Sequence, residues 1–199
     1  MTNREPRLKT GENEKVSPKN QAPSTKHQVQ STKYQAQSTK YKAPNMSADD
    51  NITIIRRFVD ELWNERNLSV ADEIFASECL THQLRSGDEI SSAPRDPETL
   101  KKHVSEWLAA FPDLHFTLEQ TVAGDDRVAS QISMTGTHTG DWMGIPPTGK
   151  HVSVRMMTIH RIVAGKIVED WVLVDSLGLF QQLALVPPRE EIFAKANVR

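Results

Sequence analysis

The stretch Gly136-Thr137-His138-Thr139-Gly140-Asp141-Trp142-Met143-Gly144-Ile145-Pro146-Pro147-Thr148-Gly149-Lys150 joins two strand-like runs. Its composition is that of a shaped loop, not a tether. Glycines and the Pro146-Pro147 pair fix backbone angles, while Trp142, Met143 and Ile145 bring apolar weight to bury. A loop built this way is rigid, as the rim of a pocket would be.

The runs on either side have period two. Before the loop, Val128, Ser130, Ile132 and Met134 alternate with Ala129, Gln131, Ser133 and Thr135. Earlier, Leu114, Phe116 and Leu118 alternate with His115, Thr117 and Glu119, and Gly124-Asp125-Asp126 turns the chain. After the loop, Val152 to Val163, an Ala164-Gly165 turn and Lys166 to Val174 read as a hairpin. Upstream the period is helical: Ile52, Ile55, Phe58, Val59, Leu62 and Trp63 share one face. A second, short helix is expected from Ser69, with Val70, Ile74 and Phe75 on one face and Ser69/Asp72 as a capping box. Cys79-Leu80-Thr81-His82 reads as a short strand, followed by a polar loop to Arg95. Asp96-Pro97-Glu98 then opens a third helix with Leu100, Val104, Trp107, Leu108 and Phe111 as its buried stripe. Leu177, Leu179, Phe180 and Leu183 predict a closing helical turn. Three helices followed by four long strands is an α+β layout: a curved antiparallel sheet packed against three N-terminal helices, enclosing a conical cavity.

Charge divides the 199-residue chain in two. Residues 1–46 carry nine Lys/Arg and three Glu, a net of +6, and residues 47–199 carry a net of −8. The acidic body excludes a nucleic-acid groove, which needs a basic face. Residues 1–46 hold almost no large apolar side chains and a seven-residue repeat beginning at Ser24, Ser31 and Ser38, so a disordered basic tail is expected there, with the folded domain at 47–199. No apolar run approaches a membrane span and no apolar leader core is present, so no membrane partner and a cytoplasmic location are expected. The single Cys79 permits no intrachain disulfide, and the seven His do not fall at metal-ligand spacing, so no metal site is expected.

Chemistry in such a cavity needs ionisable groups inside the strand pattern. The last hairpin offers His160, Glu169, Asp170 and Asp175. A plain two-residue turn at Ala164-Gly165 sets His160 beside Glu169; a bulged register sets it beside Asp170. Asp175, at a strand end, reads equally as a site residue or a helix cap. His82 is a further acid/base candidate. Cys79, three residues from His82, faces the other way on the same strand and is read as a small buried residue. His138 is expected to hold loop backbone, and His103 to lie on a helix surface. Trp63 and Trp142 are candidates for stacking on a flat ligand. The outer sheet face would expose Met157, Ile159 or Val172-like side chains, which predicts a homodimer.

From about Asn51 to Leu185 the chain resembles the SnoaL-like polyketide cyclase (ester cyclase) family, within the nuclear-transport-factor-two-like fold. The resemblance rests on Arg57-Phe58-Val59 with Trp63-Asn64, Trp107 to Phe111, and Gly136 to Gly140 with Met143 to Thr148. It continues with His160 to Val163, Gly165 to Ile167, and Gly178 with Gln182-Leu183. It implies a cone-shaped α+β barrel, frequent homodimers, a small-molecule ligand and no cofactor. It also implies an intramolecular aldol ring closure, with an Asp as acid/base and a His on the neighbouring strand. The family's aspartate position falls on Val172 and its histidine position on Thr158, which leaves those two as ligand-facing positions without a proton to move. His160 and Asp170 stand two residues away on the same two strands.

Overall fold

The computed structural model describes residues 46–84 and 91–196. The basic segment with its repeat, and most of the polar loop before Arg95, lie outside the described residues.

Helix α1 (Ala48–Arg57) starts at a capping box. The Ser47 hydroxyl accepts from the Asp50 amide, and the Asp50 carboxylate accepts from the Ser47 amide. The helix then widens into a π-helical segment (Phe58–Asn64), where the Glu65 amide bonds the Asp60 carbonyl five residues back, at 2.8 Å. The wider turn rotates Val59, Leu62 and Trp63 together into the core. Asn64 locks the end of this helix onto the sheet: its side-chain amide exchanges two hydrogen bonds with the Phe116 backbone, at 2.9 and 2.8 Å.

Helix α2 (Val70–Ile74) is a single turn. The Ser69 hydroxyl bonds Asn67 rather than the helix, so the expected capping box is not there; a capping box stands at Ser47 instead. Phe75 leaves the helix and opens strand β1 (Phe75–Gln83), which is longer than the sequence indicated. The segment read as a polar loop ends in strand β2 (Ser91–Arg95). Pro94 is tolerated there because β2 is an edge strand. Helix α3 (Pro97–Ala110) begins as predicted, with the Asp96 carboxylate accepting from the Thr99 amide at 2.7 Å.

Strands β3 (His115–Gly124), β4 (Arg127–Thr137), β5 (His151–Val163) and β6 (Lys166–Val174) follow, then the short helices α4 (Ser176–Gln182) and α5 (Arg189–Ala196). The sheet order is β2-β1-β6-β5-β4-β3. The antiparallel expectation holds for every pair except β1·β6, which is parallel. The sheet is therefore mixed, and it is curved but not closed into a barrel. Register shifts in β1·β6, β3·β4 and β5·β6 supply the bends. The core lies between the concave face and the helices, with Ile55, Leu62, Val104, Phe111, Ile132 and Met134 almost wholly buried.

The glycine-proline loop clamps α3 to the sheet. The Thr139 and Gly140 amides both donate to the Ala110 carbonyl at 3.0 Å. A Cβ on Gly140 would stand 2.1 Å from the Ala109 carbonyl oxygen, so only glycine permits this approach. At the far end of the chain the Gln182 amide bonds the Ser153 backbone twice, at 2.7 and 2.9 Å, docking α4 on β5. No described helix is long and apolar enough to cross a membrane.

Candidate functional site

The β5–β6 hairpin combines features of both expected registers. Its turn has two residues, pairing Val163 with Lys166 and Ile162 with Ile167. Val168 is then extra, so Arg161 faces Glu169 and His160 faces Asp170. This bulge decides which carboxylate meets the histidine.

The concave face carries a polar patch across four neighbouring strands. Ser130 on β4 faces Thr158 on β5, and Thr158 faces Val172 on β6. Two residues further along β5, on the same face, His160 faces Asp170, and Asp170 lies beside Thr81 of β1. His160 is 1% exposed and Asp170 5% exposed. The Oγ atoms of Ser130, Thr158 and Thr81, Nδ1 of His160 and Oδ1 of Asp170 have no hydrogen-bond partner among the described residues. A single buried orphan costs roughly 1–3 kcal/mol. Five on one face, at neighbouring same-side positions, leave hydrogen-bonding capacity there that the described residues do not use.

Burial pushes the Asp170 carboxyl above its ordinary range, against the opposing charge of Arg95. Burial likewise pulls the His160 imidazole down to about 4, so the ring is neutral at pH 7. Aromatic rings cover the patch. Phe58 lies 5.4 Å from the His160 ring and 6.3 Å from Trp63. Trp63 touches His103, and His103 touches Trp107, giving a file of rings along the helix layer. His103 is half-buried rather than a plain surface residue, and burial, aided by Arg95, pulls it down to about 4. On sequence alone it reads as a helix-surface residue; its spacing from Leu100 and Trp107 is the signal that could have placed it beside the buried stripe.

The other candidates are placed elsewhere. His82 lies on the opposite side of the sheet, stacked on Trp171 at 5.0 Å, and its Nε2 is 3.0 Å from Glu169. Glu169 also accepts from Arg161 Nε at 2.9 Å, and Asp126 lies 3.8 Å from the same guanidinium. Burial works against an ionised Glu169, but the bonds from His82 and Arg161 outweigh it and hold the carboxyl below its ordinary range. Asp175 caps α4, accepting from the Gly178 amide at 2.8 Å. A Cβ on Gly178 would strike that carboxylate at 2.4 Å, which accounts for the glycine. Trp142 sits at the other end of the molecule's core, packed on Trp107, Phe111 and Phe180. His138 holds the loop, its Nδ1 accepting from the Thr148 amide at 3.3 Å. Val172 pairs with Thr158 and is half-buried, so the outward apolar residue of β6 is Leu173, not Val172. Cys79 is buried, and burial pushes its thiol far up, so it supplies no thiolate.

Helices laid over a curved, open mixed sheet, with His160 and Asp170 buried on the concave side, define the scaffold class: an α+β fold. Within that class, the profile of the SnoaL-like polyketide cyclases matches residues 53–183, and the chain belongs to this family. It is 28% identical over 144 residues to the aklanonic acid methyl ester cyclase DnrD of Streptomyces peucetius, covering 70% of this chain and 94% of that protein. The crystal structure of AclR from Streptomyces galilaeus, proposed to be a hydroxylase, superposes with a TM-score of 0.63 at 28% identity, covering 76% of this chain and 93% of AclR. IdmH from Streptomyces antibioticus, proposed to be a polyketide cyclase, gives 0.59 at 30% identity, covering 67% of this chain and 98% of IdmH.

Proposed function

We propose that this chain catalyses an aldol-type ring closure or isomerisation of a small, mostly apolar or aromatic carbonyl compound, with His160 and Asp170 as its acid/base groups. The observation that carries the reading is their pairing on the concave face, buried, each with an atom that has no partner among the described residues. Asp170, its basicity raised by burial, takes the proton from the carbon next to a carbonyl. His160, neutral at pH 7, donates an N–H to the developing enolate oxygen. The enolate carbon then attacks a second carbonyl carbon. A C–C bond forms, the C=O π bond opens to an alkoxide, and the alkoxide takes the proton from Asp170. The reaction is a net isomerisation and moves only protons and one electron pair at each centre. Thr158 and Ser130 offer hydroxyls to the substrate's oxygens, Val172 and Trp63 line the apolar part, and Trp142 closes the aromatic file.

Aklanonic acid methyl ester, the compound in the relative's name, is the first substrate to try. Turnover by the wild type and its loss in Asp170→Asn, with an unchanged melting temperature, is the expected result. Full turnover in Asp170→Asn would overturn the assignment. Binding of the ester without turnover in the wild type would favour a ligand-binding module, a reading that Thr158 and Val172 at the family's proton-transfer positions also favour.

The proposal includes a homodimer across the convex face, where Met157, Ile159 and Leu173 stand 51%, 41% and 49% exposed. Light scattering should give twice the chain mass; the mass of one chain would refute it.

A further inference from the structure

Arg95 is a cation beside the polar patch with no paired carboxylate among the described residues. In register it faces Cys79, and Thr81 follows two residues along β1 on the same side of the sheet. Cys79 and Thr81 are buried, and Thr81 lies beside Asp170, so the Arg95 side chain shares the concave face with the polar patch. It is half-buried. Among the described residues no carboxylate lies within 4.0 Å of it, although the other half-buried or buried arginines, Arg57 and Arg161, are each paired. Its charge is nevertheless felt by Asp170 of β6, His103 of α3 and Cys79 of β1, three groups on three elements.

We propose that Arg95 is a specificity residue that receives a carboxylate of the substrate, so that this chain binds a free acid more tightly than the corresponding methyl ester, which remains a weaker substrate. A guanidinium presents a planar fork of donors that matches a carboxylate with two parallel bonds. Partial burial strengthens such a pair, while a neutral ester offers only acceptor atoms and no charge. Bound there, the acid group anchors the ligand at the β2 edge and its ring system extends under Trp63 and His103 toward His160. The relative DnrD is named for a methyl ester, so the inference separates this chain from it by substrate charge.

The inference rests on the concave face being the ligand site, and its test separates the two. The probes are 2-naphthoate and methyl 2-naphthoate, titrated against the quenching of tryptophan fluorescence in the full chain. The wild type should bind the acid about tenfold more tightly than the ester. Arg95→Gln should abolish that preference and leave ester affinity as it was, and Arg95→Lys should restore part of it. Equal affinities in the wild type, or equal loss of both probes in Arg95→Gln, would overturn the role of Arg95 while leaving the pocket standing. Binding of neither probe would overturn both. Because Arg95 makes no bond to lose among the described residues, Arg95→Gln should melt within about 1 °C of the wild type; a larger drop would assign it a structural role instead.

Discussion

Glu169 and Asp170 are neighbours in sequence and opposites in state. Glu169 faces the convex side, bonded to His82 and Arg161, and is held ionised. Asp170 faces the concave side with an orphan oxygen and is pushed toward its neutral form. The same contrast runs along β5, where Arg161 is paired and His160 is not. One side of the hairpin uses its charges to hold the strands together. The other leaves polar atoms unspent, which is how a protein keeps groups ready for a substrate. Burial alone does not separate the two, since both carboxylates are nearly inaccessible; the partners do.

The contrast can be broken most severely at Asp170. Asp170→Asn should lower turnover about a thousandfold, in keeping with the loss of a general base, while the melting temperature holds or rises. Next in size is the outer side. Glu169→Leu leaves the buried Arg161 guanidinium with only Asp126 at 3.8 Å and should cost about 3 kcal/mol in denaturant unfolding. If the two variants had their effects exchanged, the division of labour would be wrong.

A pH series sharpens it further. His160 is lowered on folding, so its contribution is present above the unfolded value of 6.5 and is lost as pH falls toward about 4. Glu169, also lowered, contributes above the unfolded value of 4.5 and loses that only as pH falls below it. His160→Gln should therefore flatten the stability curve between about pH 6.5 and 5, where Glu169→Leu should leave its slope alone; the readout is the urea midpoint at each pH. The smallest effect is expected at Thr158. Replacing its orphan hydroxyl by the isosteric Thr158→Val should stabilise by about 1 kcal/mol, visible as a higher urea midpoint, at some cost in substrate affinity.

Much of this layout was legible in the residues. Strict alternation in β4 and the Asp96-Pro97 helix start placed the sheet and α3, because both signals are local. The His160–Asp170 pairing was visible only as one of two registers. Choosing between them required knowing that Val168 bulges out, which is settled by Arg161 finding Glu169 across the strands. Arg95 and Thr81 escaped because Pro94 hides an edge strand, and because a parallel β1·β6 pairing brings together residues 89 positions apart with no periodic signal. His82 and Asp175 carried the right side chains for chemistry; what they bond to, Glu169 and Gly178, could not be read along the chain.

The extra residue at Val168 also acts as a safeguard against mispairing. Without the bulge, Arg161 would stand opposite Val168, and Asp170 would move to the convex side opposite Ile159. That frame strands a guanidinium against an aliphatic side chain and sets a carboxylate among the exposed apolar residues of β5. A hairpin zipped one step out of phase is thus penalised at two places at once, so the strands verify their alignment before His160 and Asp170 are brought together.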